Sequence, residues 1–410
     1  MTRRRVVVTG VGLASPIGND LATAATALRE GRHGIAVEPG WAETGGLETR
    51  LAAEVRGLDL SGRPRKKVRG MARVALLALH ATEQALADAG LDSIQVSSPS
   101  IGLAYGSTHG SSSALIDFVT PLLANRSLAG IPSSSYLKFM SHTCAANLAL
   151  YYEIRGRVVP TVAACVSGSL AIGTGYETIA SGAQDVMICG GAEELHPVPA
   201  GVFDIMLATS THYNDRPDES PRPFDADRDG LVVGEGAGTL VLEDLDHARR
   251  RGARIHAEVI GFGTNCDGTH LTSPSVEGMA LCMRLALRDA GIATDAIDYV
   301  NAHGTATEVG DIAESQAMLE VLGARVPVSS TKGSTGHTLG ACGVIEAAFC
   351  LAMMAGGFVA PGRNLERLDP RCAPLDYVVG EPREVSIGTV MTNNFAFGGI
   401  NTSLVFRAGP

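Results

Sequence analysis

Thr161-Val162-Ala163-Ala164-Cys165-Val166-Ser167-Gly168-Ser169 is the stretch whose reading decides the fold. Thr161 to Ala164 is a short apolar, β-branched run of the kind that forms a buried strand. Gly168 to Gly182 reads as a helix, and Asp185-Val186-Met187-Ile188-Cys189-Gly190-Gly191 as a second strand running into a glycine turn. Strand, helix and strand in succession are the unit of an α/β fold with largely parallel, buried sheets. A thiol stands at the junction, where open α/β sheets place their ligands.

The same alternation extends in both directions. Arg5 to Gly10 and Ile101 to Gly106 read as strands, and Ala72 to Ala89 as a helix stopped by Gly90. Further on, Ala257 to Phe262 is a strand, Glu277 to Gly291 a helix, and Ile297 to His303 a strand that delivers His303 at its carboxyl end. Asp311 to Leu322 is a helix, Val326 to Ser330 a strand, and Gly340 to Gly356 a helix. Val390 to Phe395 and Thr402 to Phe406 form a closing hairpin. Two such runs divide the chain near residue 250. Residues 1–250 form a half carrying Cys165, and residues 251–410 a half carrying His303, Lys332, His337 and a glycine-rich loop. No Pro/Ser-rich linker separates them, so one compact body is expected.

The bulk numbers exclude several classes. With 45% hydrophobic and 19% charged residues, the 410-residue chain is globular. Its 49 glycines, about 12% against a usual ~7%, are scattered through motifs, which points to tight turns and close backbone contacts. A formal net charge of −10 argues against a nucleic-acid binder. The basic run Arg63-Pro64-Arg65-Lys66-Lys67-Val68-Arg69 is the exception: a solvated loop leading into a helix, or a dock for an acidic partner. None of the eight cysteines forms a CxxC pair, which disfavours a zinc ribbon or dithiol and fits the reducing cytoplasm. The opening residues lead straight into a strand, so no signal peptide is expected. The apolar stretch Ala347 to Ala360 is too short to span a bilayer and reads as a buried helix.

Three polar clusters carry chemistry: the Cys165 stretch, Asn301-Ala302-His303-Gly304-Thr305-Ala306-Thr307, and Thr331-Lys332-Gly333-Ser334-Thr335-Gly336-His337. One thiol, two imidazoles and one ammonium among small residues are the inventory of a cysteine-based acyl-transfer site. A helix N-terminus after Cys165 favours its thiolate and offers N–H groups to an oxyanion. Neutral imidazoles at His303 and His337 can donate from Nε2 to a developing enolate. Glu346 falls in the apolar stretch Ala341 to Met354, where a lone carboxylate is costly, and Lys332 is its expected partner. Asp311 is the expected cap of the helix it opens. Asn393 to Asn401 is a glycine-rich turn whose Phe395 and Phe397 can form a movable apolar plug.

In their joint order these motifs resemble the β-ketoacyl-acyl-carrier-protein synthases of types I and II, within the thiolase superfamily. The resemblance rests on Val6 to Gly12, Arg222-Pro223-Phe224-Asp225, Gly234-Glu235-Gly236-Ala237-Gly238, Asn301 to Thr305, Thr331-Lys332 with Thr335-Gly336-His337, and Phe395 to Asn401. It spans essentially the whole chain. It implies a thiolase-like five-layer αβαβα fold with two pseudo-equivalent halves, and a dimer. It also implies that Cys165 carries the acyl thioester. His303 and His337 then promote decarboxylation of the extender and stabilise its enolate, with Lys332 and its acidic partner Glu346 in support. The N–H groups of Cys165 and Phe397 form the oxyanion hole, Phe397 gates the site, and Thr305 and Thr307 contact the phosphopantetheine arm. No metal and no cofactor of the chain's own is implied; substrates arrive on acyl carrier protein. Arg65, Lys66, Lys67 and Arg69 are the expected docking patch for that acidic partner.

Departures from the family pattern bear on substrate range. Ala396 replaces a glycine, Leu231 a phenylalanine, Glu308 a proline, and Gly333-Ser334 follow Lys332. They suit a specialised polyketide or polyene pathway as well as fatty acid elongation. A thiolase would carry a late Cys-x-Gly nucleophile, absent after Asn393. A cysteine hydrolase would not need the second histidine. A chain-length factor, which only shapes its partner's tunnel, lacks the nucleophile; this chain keeps it, and pairs either with itself or with such a subunit.

Overall fold

The valine-rich opening forms a nine-residue strand, β1 (Val6–Ala14), and its glycines fix what lies on it. A Cβ at Gly10 or Gly12 would stand 2.1 Å from the carbonyl oxygens of Ala85 and Ala81 on helix α1 (Arg73–Ala89). Only glycine permits that approach of helix to sheet. The computed structural model describes residues 3–409. Within them β1 is joined by β2 (Ile101–Gly106), β3 (Val158–Pro160), β4 (Val186–Glu193) and β5 (Gly236–Asp244), in the order β1-β5-β4-β2-β3. Helix α2 (Ser167–Ala180) follows β3.

The second half repeats this plan. Strands β6 (Ala257–Cys266), β7 (Tyr299–Asn301), β8 (Pro327–Ser329), β9 (Thr389–Phe395) and β10 (Ile400–Ala408) lie in the order β6-β10-β9-β7-β8. In each half the first strand pairs antiparallel, the next pair is antiparallel, and the last two pairs are parallel. Gly261 and Gly263 on β6 repeat the part of Gly10 and Gly12. A Cβ there would stand 2.4 and 2.2 Å from carbonyl oxygens of α3 (Val276–Ala290). Pairing of Val6–Val8 with Ala257–Val259 joins the halves into one eleven-stranded sheet, with Asp376–Tyr377 as a short outer strand beside β8.

Five layers result. Helix α1 covers the outer face of the first half-sheet, and α3 and α4 (Glu308–Leu322) that of the second. Between the half-sheets lie α2 and α5 (Cys342–Gly356), packed against strands of both. This is the thiolase-like αβαβα arrangement. The run Leu339–Gly356 is long and apolar enough to cross a membrane by length and composition, yet 83% of it is buried in this middle layer.

Two expectations need correction. Thr161 to Ala164 is not a strand: the edge strand is Val158–Pro160, which pairs with Leu103–Tyr105. The β-branched run continues past Pro160, but Ala163 and Ala164 leave the extended region to turn Cys165 inward. Asp311 does not cap a helix. Helix α4 begins at Glu308, with Thr307 ahead of it, so Gly310 does not interrupt it and Asp311 sits one turn inside. Its buried carboxylate accepts from the N–H groups of Phe224 (2.7 Å) and Ala306 (3.1 Å) and lies 3.6 Å from Arg228. It ties the His303 loop to the Arg222–Asp225 segment.

Candidate active site

Cys165 lies in a short 3-10 turn, Ala164–Val166, that runs directly into α2. Ala164 holds a φ of 49°, the left-handed region a β-carbon disfavours. Such strain persists only where neighbours enforce it, and it clusters at functional sites. The enforcing contacts come from Ser167: its hydroxyl accepts from the Ala163 N–H (2.9 Å) and donates to the Ala164 carbonyl (2.7 Å). Ala306 between the two threonines (φ 65°) and Leu339 after His337 (φ 48°) are strained in the same way. Three loops around one thiol thus share this feature.

The structure brings the four expected polar groups together. Cys165 Sγ lies 3.0 Å from His337 Nε2. The two imidazole rings are 5.2 Å apart and nearly perpendicular. Lys332 Nζ donates to Glu346 (2.5 Å) and lies 3.2 Å from His303 Nδ1. Asn394 Nδ2 donates to the other Glu346 oxygen at 2.7 Å. All of these side chains are buried. Burial, then the Lys332 charge, holds both imidazoles well below their ordinary pKa, so both are neutral. Burial disfavours charge on Lys332 and also raises the Glu346 carboxyl, but the attraction and hydrogen bond between them, with smaller help from Cys342 and Glu314, leave Lys332 raised on balance and an ammonium.

An ammonium only donates, so the His303 nitrogen facing it must carry the lone pair. The ring proton then sits on Nε2, the nitrogen turned away from Lys332. His303 is thereby set as a hydrogen-bond donor. Cys165 differs from the thiolate expectation. Burial pushes its thiol up to about 12. Lys332 and the backbone N–H groups of Cys165 and Phe397 pull the other way without prevailing. The resting sulfur is a thiol beside a neutral imidazole, and those two N–H groups face it as oxyanion donors.

These groups open into a cavity of about 330 Å³. Thr305 and Thr307 line it with their hydroxyls 2.8 Å apart, as do Phe395, Phe397 and Leu231. The Phe397 ring packs on Phe203 with centroids 5.4 Å apart, and Phe395 meets the His303 ring edge-on at 6.1 Å. Ala396, where the resemblance expects glycine, keeps a negative φ, while Gly398 and Gly399 take 94° and 74°. The loop therefore accommodates Ala396 and bends at the two glycines beyond it. Arg65, Lys66, Lys67 and Arg69 lie apart from the cavity, exposed on or beside a four-residue helix of their own, Arg65–Val68. Lys67 lies over the Tyr151 ring.

Residues 3–248 match "Beta-ketoacyl synthase, N-terminal domain" and residues 256–366 match "Beta-ketoacyl synthase, C-terminal domain". The chain belongs to the β-ketoacyl synthase family. It is 40% identical to 3-oxoacyl-[acyl-carrier-protein] synthase 1 of Escherichia coli K12, over 98% of this chain and 99% of that one. A β-ketoacyl synthase structure from Burkholderia phymatum STM815 is 50% identical with a TM-score of 0.96, covering 99% of this chain and 100% of that one. The ishigamide ketosynthase/chain length factor structure is 32% identical with a TM-score of 0.91, covering all of both chains.

Two residues of this β-ketoacyl synthase site escaped the sequence reading. Asn394, in the glycine-rich turn, completes the Glu346 hydrogen bonding. Glu314 holds the His303 loop by accepting from the N–H groups of His303 and Gly304, both at 2.7 Å. A carboxylate between Ala313 and Ala317 on a buried helix face was the available signal, the same one that singled out Glu346. Burial pushes Glu314 up to about 8, Glu193 to about 7 and Asp311 to about 6. A carboxyl raised on folding contributes stability below its ordinary range and loses it as pH rises through the folded value. Stability should therefore fall between about pH 5 and 8. In Glu314→Gln that slope should be shallower, as read by chemical denaturation across the range. An unchanged slope would mean that Glu314 is ionised throughout.

Proposed function

We propose that this chain extends acyl chains by decarboxylative Claisen condensation with malonyl-acyl carrier protein, in fatty acid or polyene-type polyketide elongation. The observation that carries the reading is the Cys165–His337–His303–Lys332–Glu346 cluster opening into one cavity. The Cys165 sulfur attacks an acyl thioester on the carrier; the carrier's thiol leaves with the proton, and the tetrahedral oxyanion is held by the N–H groups of Cys165 and Phe397. Malonyl-carrier then enters past Thr305 and Thr307. Its C–CO₂⁻ bond breaks, CO₂ departs, and the electron pair forms an enolate whose oxygen accepts from the Nε2–H of His303, with His337 beside it. The enolate carbon attacks the Cys165 thioester, the thiolate leaves and is reprotonated, and a β-ketoacyl-carrier results. Loss of CO₂ drives the sequence forward.

The nucleophile marks this chain as a catalytic subunit and not a chain-length factor. We place it in the cytoplasm, where its eight free cysteines stay reduced, as a homodimer or paired with a chain-length-factor-like subunit. Leu231 in the cavity wall and Ala396 in the gate loop favour a specialised pathway; the 40% identity to the Escherichia coli enzyme favours fatty acid elongation. Incubation with malonyl-carrier and a series of saturated and polyunsaturated acyl-carriers tests both. β-Ketoacyl product from polyunsaturated donors alone assigns the polyene pathway, product from saturated donors the housekeeping one, and no CO₂ release from any donor contradicts the condensation.

The carrier is acidic, and Arg65, Lys66, Lys67 and Arg69 are its proposed dock. Reversing all four charges to glutamate should weaken carrier binding about tenfold or more and flatten its salt dependence. Titration of carrier at two salt concentrations measures this; unchanged affinity and salt dependence would remove the patch from the interface.

A further inference from the structure

Cys165, His303 and His337 also have the spacing of a metal site. One donor atom from each lies within 4.8 Å of the other two. A thiolate and two imidazoles with a fourth position open to a cavity are a ligand set for zinc-class cations. In a tetrahedral site with the usual zinc–sulfur and zinc–nitrogen lengths, sulfur and nitrogen stand roughly 3.5 Å apart. To accept the ion, Cys165 and His337 at 3.0 Å would need to open by about half an ångström, and the His303 donor, within 4.8 Å of both, to settle at a like separation. All three residues line the open cavity, so an ion has a path to them.

The groups behind the cluster have the wrong polarity for a metal. A histidine bound through one nitrogen normally donates its other N–H to a carboxylate, carbonyl or water. Here His303 Nδ1 faces two donors, Lys332 Nζ at 3.2 Å and Asn394 Nδ2 at 3.5 Å. The carboxylate that would suit a ligating histidine, Glu346, is engaged by those same two donors. With Nδ1 receiving the ammonium, the ring proton stays on Nε2, and Nε2 has no lone pair for the ion. Turning the ring proton to Nδ1 would point an N–H at an ammonium.

We propose that Lys332 guards the site against metal capture: by holding His303 in the Nε2–H form it keeps the Cys165–His303–His337 cluster from binding a zinc-class divalent cation. The same hydrogen bond that makes His303 a donor to an enolate makes it a poor ligand. Lys332 is in this respect a positioning residue acting through His303. The proposal concerns binding only and does not depend on the condensation reading.

Cobalt(II) titration tests it without an activity assay, since a tetrahedral cobalt–thiolate site absorbs in the near ultraviolet and visible. Lys332→Met removes the guard but leaves Glu346 unpaired, so Lys332→Met/Glu346→Gln is titrated beside it to keep a folded, charge-balanced protein. The expected result is a stoichiometric cobalt–thiolate spectrum in the variants, with affinity raised about 10–100-fold or more over wild type. Adding Cys165→Ala to the same background should abolish the spectrum, which separates this site from the exposed Cys266. Wild type binding cobalt as tightly as the variants, or folded variants that bind none at Cys165, would overturn the proposal.

Discussion

Lys332→Ala should lower folding stability by about 3–5 kcal/mol, because it leaves the Glu346 carboxylate charged or neutralised at a cost inside the middle layer. Lys332 and Glu346 are 1% and 2% exposed, so water cannot replace the lost partner. Removing both charges is different. Lys332→Met/Glu346→Gln retains an oxygen for Asn394 to bond and leaves no buried ion, so it should unfold close to wild type. Its condensation should stay low, because His303 Nδ1 no longer faces an ammonium that fixes the ring proton. Chemical denaturation of the three proteins, with condensation measured on each, checks the pair. A double variant as unstable as Lys332→Ala would mean that packing and not charge sets the cost.

His303→Ala should separate the two half-reactions. Its nearest polar partners are Lys332 and Asn394, whereas the sulfur's hydrogen-bond partner is His337. Acyl transfer to Cys165 should therefore persist, while decarboxylation of malonyl-carrier falls by about 10²–10⁴, the usual loss of one proton donor at a developing charge. His337→Ala should impair both steps. Pre-acylated enzyme mixed with malonyl-carrier, with CO₂ and β-ketoacyl product followed over one turnover, reads the difference. Equal loss of acylation and decarboxylation in His303→Ala would contradict the division of labour.

The sequence showed the alternation of strands and helices because both periods are strong in buried segments, and it showed the polar groups because they stand among small residues in the connections that follow β3, β7 and β8. What it hid lies in tertiary contact. The Gly10-Val11-Gly12 and Gly261-Phe262-Gly263 echo was overlooked, since only the packed helices reveal that both pairs serve one purpose. The strand at Thr161 to Ala164 was misplaced because the strain at Ala164 is imposed by Ser167 and not by local preference. Asp311 reads as a cap because two of its partners, Phe224 N–H and Arg228, are more than eighty residues away, and the third, Ala306 N–H, lies in the loop before the helix and not in its first turn. The thiol state of Cys165 depended on burial, which no local motif states: the helix start and Lys332 favour thiolate, but desolvation outweighs them.

The central claim is that Cys165 carries the growing chain, and intact-mass analysis tests it most directly. Wild type and Cys165→Ala are incubated with a panel of acyl-carrier proteins and weighed without digestion. Acyl adducts on wild type alone are the predicted result, and the chains accepted identify the pathway. An adduct of equal yield on Cys165→Ala would place the acyl group on another residue and contradict the account.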